Sequence, residues 1–406
     1  MFVMKKFIVL LLLLISTESL YSQQLMQDSK KVTLNGYVKY MNTIMDLPDN
    51  QSAFIGQPKG AWVNESMFHN RLNFRWYISN SFTFAAEARN RLIYGDMVEG
   101  FAEYPKLISQ DNGYFDELTN NIIDKNAYLL NTSIDRLWVN YRKGKFEAKI
   151  GRQRINWGQA YVWNPNDIFN AYSFFDFDYE EKLGSDAIRL QYYPTFTSSA
   201  EVAVKVDNKE RITAAGYYRF NKFGYDIQLL GGVLNDDEYV AGAGWSGNIK
   251  DAGFNGELTY IWPAKGNDND SEILLSSVSA NYMFDNSVYL MAEGYYNGNY
   301  KNMDVGQFSG FYFQDMSVKT LSFSELSWFA QASYPIHPLL DGTLAFMYYP
   351  DIDGYFINPS LKYSLTNNIQ LSMHGQLFKG KFGSAEEETI KFLFFRFKWS
   401  YYAIKL

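Results

Sequence analysis

The chain has 406 residues, 47% of them hydrophobic and 18% aromatic, with 37 Lys and Arg against 44 Asp and Glu and no Cys. A formal charge of −7 gives no basic footprint for nucleic acid, and the absence of Cys excludes a disulfide framework, a Cys-bearing metal site and an N-terminal lipid on Cys.

The N-terminus has the form of a secretory leader. Lys5 and Lys6 precede the apolar run Phe7 to Ile15, which is nine residues long. That is too short to span a bilayer as a helix. Cleavage is expected near Ser22–Gln23, so the leader takes residues 1–22. Removing its two Lys and one Glu leaves 35 basic and 43 acidic side chains, a net −8. No later apolar run approaches the ~18 residues of a membrane helix. An exported, aromatic-rich chain of this kind is expected to be all-β.

From there the sequence alternates, as strands do when one face is apolar and the other polar. In 82–91, Phe84, Ala86 and Ala88 oppose Glu87, Arg89 and Arg91; in 134–142, Leu137, Val139 and Tyr141 oppose Arg136, Asn140 and Arg142. In 197–206, Ala200, Val202, Val204 and Val206 oppose Glu201 and Lys205. The patterned segments are 32–43, 65–78, 82–92, 132–143, 145–156, 185–194, 198–206, 211–220, 223–233, 238–248, 252–262, 272–284, 287–297, 321–335, 339–349, 354–365, 368–378 and 389–401. That makes about 18 strands, with 16 the alternative. The connections are short at one end and mostly long at the other, the longest being 93–131 and 158–184. The 93–131 stretch reads as surface loop with room for a short helix. Even strand number, loop asymmetry and aromatic-ended strands together predict an antiparallel transmembrane β-barrel over residues 23–406, rather than a soluble sandwich. Tyr192, Trp245, Tyr260, Trp328 and Tyr348 are the candidate girdle aromatics. The outward partner is then outer-membrane lipid. The final strand, with Leu393, Phe395, Phe397, Trp399 and Tyr401 on one face, resembles the signal read by the barrel-assembly machinery.

The densest chemistry lies between Gly151 and Arg189. A regular strand would place Arg152 and Arg154 on the face of Phe146, Ala148 and Ile150, which is the lipid face. Two escapes exist: a bulge at Gly151 that turns both arginines into the lumen, which is the favoured expectation, or a strand that has already left the apolar zone. Inward arginines would meet Asp167, Asp176, Asp178, Glu180, Glu181 and Asp186, and Arg–carboxylate forks are strong and directional. Asn164, Pro165, Asn166 and Asp167 form a turn or helix start. The expectation is a loop pinned inside the barrel by Arg152, Arg154 and Arg189, with Asn156 and Trp157 at its start. Such a loop either sets an aperture or acts purely as a latch.

The lumen is expected to carry both signs. Arg71, Arg75, Arg89, Arg91, Arg136, Arg142 and Arg219 face Glu87, Glu147, Glu201, Glu257 and Glu325. Trp138 and Tyr217 are lumen aromatics suited to stacking on a sugar. The three His, His69, His337 and His374, do not assemble a hydrolytic triad, although Ser372 and His374 share a face. No His and Cys spacing suggests a metal, and no cofactor is expected.

The run G-R-Q-R-I-N-W-G, then N-P-N-D-I-F-N, an acidic patch and S-D-A-I-R-L, resembles a segment of porin-like outer-membrane barrels of Gram-negative bacteria, including alginate-export-like families. The Ser-Gln-Gln leader end and the Tyr- and Asn-rich composition resemble proteins of Bacteroidota. The resemblance implies a channel for passive or facilitated diffusion and names no solute. A non-conducting barrel that binds a surface partner is the competing expectation.

Overall fold

The computed structural model describes residues 31–48, 60–172, 174–175, 181–182, 184–264, 271–302, 317–381 and 387–405. The leader at 1–22, and Asp176, Asp178 and Glu180 of the acidic patch, lie outside these residues.

Alternation yields strands as expected. β1 (Val32–Asp46), β2 (Trp62–Tyr77), β3 (Phe82–Gly95), β4 (Thr119–Lys125), β5 (Tyr128–Lys143), β6 (Phe146–Gln153) and β7 (Ser185–Thr195) come first. β8 (Ser198–Val206), β9 (Ile212–Lys222), β10 (Tyr225–Leu234), β11 (Glu238–Ile249), β12 (Ala252–Pro263), β13 (Ile273–Met283) and β14 (Tyr289–Asn297) follow. β15 (Leu326–His337), β16 (Leu340–Tyr349), β17 (Gly354–Ser364), β18 (Ile369–Lys381) and β19 (Glu387–Lys405) complete the order. Every strand but β4 pairs antiparallel with both neighbours. β1 closes the ring by pairing with β2 and β19, through Val38↔Asn70 and Val38↔Trp399. The result is a closed antiparallel barrel of 18 strands. Closure leaves no edge in the ring of 18 strands and satisfies the wall's backbone groups internally, as a bilayer requires.

The outer face is apolar, with exposed Ile150, Ile188, Leu190, Val202, Leu229, Leu258, Val278, Leu344 and Leu371. Aromatics border it, including Tyr192, Trp328, Tyr348 and Tyr260 from the expected girdle. This is the architecture of an integral outer-membrane protein. The short turns, such as 144–145, 196–197 and 223–224, mark the periplasmic end.

Four local expectations need correction. The predicted strand 145–156 stops at Gln153, and no bulge exists at Gly151. Pairing runs in unbroken register through Trp138↔Gly151 and Leu137↔Arg152 on one side, and Gly151↔Ala187 and Arg152↔Asp186 on the other. Gly151 has φ 112°, and a Cβ there would stand 2.2 Å from the Leu137 carbonyl oxygen. The glycine therefore serves strand–strand approach, not a change of phase. A register shift does occur where it was not expected, beside Glu87 and Ala88. It puts the buried Asp135 and Arg136 side by side between Ile134 and Leu137.

The third correction concerns 93–131. It holds two short helices, α1 (Asp96–Gly100) and α2 (Tyr104–Ile108), and the extra strand β4. Met97, Val98, Phe101 and Tyr104 pack on Met41, Met45, Met67, Ile93, Leu129 and Phe394, which lie on the lumen face of the wall. The segment thus covers part of the outer mouth from inside. β4 pairs with the upper part of β5, above the level at which β6 takes over as neighbour, and a single bridge, Gly113↔Asp207, ties the same segment to the end of β8. Fourth, the predicted strand 321–335 begins at Leu326. Leu321 and Phe323 precede it in a buried turn, and Glu325 lies in that connection rather than on a lumen face.

Candidate pore constriction

The chain leaves β6 at Gln153 and re-enters the wall at Ser185. Between them it folds into the barrel, as the alternation of apolar and amide residues in INWGQAYVWNPNDIFN allows. Ile155, Trp157, Ile168 and Phe169 are buried against Ala187, Ala203, Ala215, Leu230, Val240, Ile261 and Leu275. Val162, Trp163 and Phe175 are buried across the lumen against Met291, Tyr295, Phe329, Tyr349, Phe356 and Phe378. Trp157 stacks on Tyr217 at 5.2 Å between centroids, and Trp163 on Tyr295 at 5.5 Å. The loop therefore spans from one wall to the opposite one.

Wall carboxylates hold its backbone. Glu257 of β12 accepts from the N–H groups of Gln159, Ala160 (2.7 Å) and Asn166 (2.9 Å). Glu293 of β14 accepts from Tyr161 (3.0 Å), Val162 (3.0 Å) and Trp163 (2.7 Å), and from the Ser277 hydroxyl. Side-chain amides add to this: Gln228 donates to the Trp157 carbonyl at 3.0 Å and Gln376 to that of Phe175 at 3.2 Å. A buried irregular loop must have its backbone groups met in this way. Glu257 and Glu293 meet six N–H groups with two side chains.

The expected site residues divide into three groups. Asn164, Asn166, Asp167, Asn156 and Trp157 belong to the loop's own frame. Asn166 donates to the Ala243 carbonyl at 2.9 Å and accepts from Thr259 at 2.7 Å. Asp167 accepts from the Trp157 N–H at 3.2 Å and, with Asn164, makes the expected turn. Burial raises the Asp167 carboxyl to about 7, against the lowering effect of that N–H and of Arg154. Arg154 donates to Asn156 at 2.6 Å. The Trp157 indole donates to Glu201 at 2.7 Å, and Glu201 is forked by Arg189 at 2.6 Å through both oxygens. Arg189 thus fixes the loop's start through Glu201.

A second group belongs to the wall seam. Arg152 stays on the face of Ile150 and Ile188, but is itself buried. Its guanidinium takes Asp186 in a fork at 2.8 Å, Asp111 at 2.5 Å and the Phe115 carbonyl at 2.9 Å. It clamps the 111–115 segment where β6 ends and β7 begins. Neither expected escape is needed: the guanidinium keeps the outward parity and is enclosed by Asp186, Asp111 and the Phe115 carbonyl.

The third group is the charge ladder. Arg71 is buried between Glu87, Asp135 and Glu181, and Glu181 also accepts from Tyr37 at 3.0 Å. Arg136 donates to the carbonyls of Glu181 and Lys182. These contacts hold the loop's end, and Asp135 is the member that alternation alone conceals. Arg91 donates to the Ile108 carbonyl and to Asn131. Arg89 stands directly across from Arg71, Arg75 reaches Glu87 at 3.4 Å with half its side chain exposed, and Arg142 lies over the Tyr193 ring. Cations dominate the lumen face of β1–β7 and β19, where Lys39, Lys149, Arg396 and Lys398 join the arginines. The sugar-stacking expectation does not survive as stated: Trp157 covers Tyr217, and the Lys149 ammonium lies 4.6 Å over Trp138. His374 pairs with Ser372, which also accepts from Arg396, a structural arrangement within the wall.

Gly242 provides a direct test of the loop's seat. A Cβ there would lie 2.4 Å from the Asn166 oxygen. Gly242→Val is expected to unseat the 164–167 turn and make open-channel current noisier, with barrel folding retained on heat-modifiable gels. Quiet, unchanged current would mean that the turn does not govern the aperture.

No family model matches the sequence, and no curated protein matches it. Among solved structures, the barrel is similar to a BenF-like porin from Pseudomonas fluorescens Pf-5, at TM-score 0.56 and 11% identity over 92% of this chain and 99% of that one. It is similar to Pseudomonas aeruginosa OpdQ at TM-score 0.55 and 8% identity, over 93% and 100% of the two chains. Acinetobacter baumannii OccAB4 matches at TM-score 0.54 and 10% identity, over 91% and 98%. At such identities the likeness is one of fold.

Proposed function

We propose that this protein is a porin-like channel that lets small polar solutes, anionic ones foremost, diffuse across the outer membrane through an aperture set by the 154–184 loop. One observation carries this reading. The acids of the β12 and β14 wall are engaged by the loop's N–H groups, while the opposite wall keeps a run of cations along the remaining lumen. Charge lining of one sign raises the local concentration of opposite-sign solutes, and basic linings select for anions. The Arg71 cluster and the Arg189–Glu201 fork serve as the aperture's supports in this scheme. The proposal includes a cleaved leader over 1–22 and insertion by the barrel-assembly machinery through the aromatic final strand. It also includes a Bacteroidota source and kinship with alginate-export-like porins, on the residues quoted for that resemblance.

The test is single-channel recording in planar bilayers with a salt gradient. The reversal potential is expected to show anion preference, and Arg75→Gln/Arg142→Gln to reduce it, since both side chains lie near the periplasmic end of the ladder. Cation preference would sink the solute class. A folded barrel that never conducts would establish the competing reading, a closed surface protein, which the loop's wall-to-wall span would then explain.

A further inference from the structure

The lipid-facing side of the barrel is not uniform. On β6–β19 the outward positions between the aromatic borders are apolar, Pro359 and Met373 included, with the single side-chain hydroxyl of Ser276 outside the tyrosines. Arg152 and Asp186 share that parity but are covered by the 111–115 segment. On β2, β3 and β5 the pattern breaks. Asn70, Asn90 and Thr132 stand directly opposite one another on adjacent strands, as Asn70↔Asn90 and Asn90↔Thr132. They alternate with exposed Phe68 and Leu72 on β2, which fixes the outward face.

The row lies in the apolar zone. Asn90 is four residues from Tyr94 and eight from Phe82, the exposed aromatics at the two ends of β3. Headgroups therefore do not reach it. Thr132 donates to the Asn90 oxygen at 2.9 Å, and the Asn70 amide reaches the Tyr37 carbonyl and the Tyr401 hydroxyl at 3.3 Å each. The Asn70 oxygen and the Asn90 amide nitrogen make no hydrogen bond among the described residues. Hydrocarbon offers neither a donor nor an acceptor, so an outward amide with unused capacity is costly there.

We infer that β2, β3 and β5 form the contact face for a second copy of this chain, with the Asn70–Asn90–Thr132 row hydrogen-bonded across the interface. The row offers a spare acceptor at Asn70 and a spare donor at Asn90, so it complements itself. It contains no charge, so it calls for no charged partner. Homo-oligomers with closed symmetry reuse such self-matching patches, and interhelical amide and hydroxyl pairs serve the same purpose in helical membrane proteins.

The chain lacks Cys, so a single introduced thiol reports position without background. Asn90→Cys in native outer membranes, treated with a short bismaleimide, is expected to give a band of two joined chains. Leu344→Cys, on the outward face of β16, is expected to stay a single chain. Wild-type protein in mild detergent should run by light scattering as an oligomer, and Asn70→Leu/Asn90→Leu/Thr132→Val as one chain with its heat-modifiable shift intact. A monomeric wild type, equal cross-linking at both cysteines, cross-linking of Asn90→Cys to a different protein, or an oligomer that survives the triple substitution would each overturn the inference.

Discussion

Replacing Glu257 and Glu293 together by alanine is expected to raise single-channel conductance several-fold and to make it unsteady. These two carboxylates meet six N–H groups of residues 159–163 and 166. A hydrogen bond contributes about 0.5–1.5 kcal/mol net, and six backbone bonds converge on these two side chains, so the pair supports the loop more strongly than any other polar contact it makes. The apolar side is not negligible. Burial of large side chains such as Trp163 and Phe175 contributes about 1.5–3 kcal/mol each, and it keeps the loop inside the barrel. The expected state is therefore a loop still lodged but no longer fixed, with water meeting the freed N–H groups and ions passing around it. Glu257→Gln/Glu293→Gln should fall between, because each amide keeps one oxygen able to accept. The wall ladders of β12 and β14 do not depend on these side chains, so the barrel should fold normally. Unchanged conductance in the alanine pair would mean that the aperture lies elsewhere.

Arg152→Ala should act on stability and leave ion selectivity almost untouched. The guanidinium is buried with Asp111 and Asp186 and holds the Phe115 carbonyl. Removing one partner of a buried ionic cluster costs about 3–5 kcal/mol, since the remaining charges are left uncompensated. The temperature at which the folded band converts to the unfolded one in gel electrophoresis should fall clearly. Arg152→Lys should recover only part of the loss, because an ammonium cannot fork Asp186 and reach Asp111 in the same plane. A shift in reversal potential at unchanged thermal stability would instead place Arg152 on the solute path.

Much of the barrel is written in the two-residue period, and the strand list drawn from it matches the wall closely. The sequence is less plain wherever the period lapses. Ile134-Asp135-Arg136-Leu137 spaces two outward apolar residues three apart, and that interval marked the register shift which brings Asp135 to Arg71. Read as simple alternation, it hid the acid. Gly151 misled in the opposite sense, because a glycine permits a bulge but equally permits close backbone approach, and only the neighbouring strand decides between them. The loop between β6 and β7 announced itself by composition, and Arg189, Asp186, Asn166 and Trp157 all hold parts of it or of its support. Its main anchors did not. Glu257 looks like one more lumen charge and Glu293 like an isolated acid between Ala292 and Gly294. Nothing local to either says that backbone N–H groups nearly a hundred residues and more upstream will find it. The inward course of 96–108 was likewise obscured by flanking Asp, Asn and Gly, while Met97, Val98, Phe101 and Tyr104 carried the signal.

The span between loop and anchors bears on how the barrel is assembled. Trp163 and Glu293 are 130 residues apart, and Gln376 meets Phe175 across 201. Contacts of such separation form late, after the entropy of closing the intervening chain has been overcome. The loop therefore stays without these anchors until β12, β14 and β18 have joined the wall beside it. A ring zipped shut between β1 and β19 before the loop had turned inward would exclude it from its seat. The order of events during insertion, and not only the final contacts, thus decides whether a finished barrel carries its inward loop.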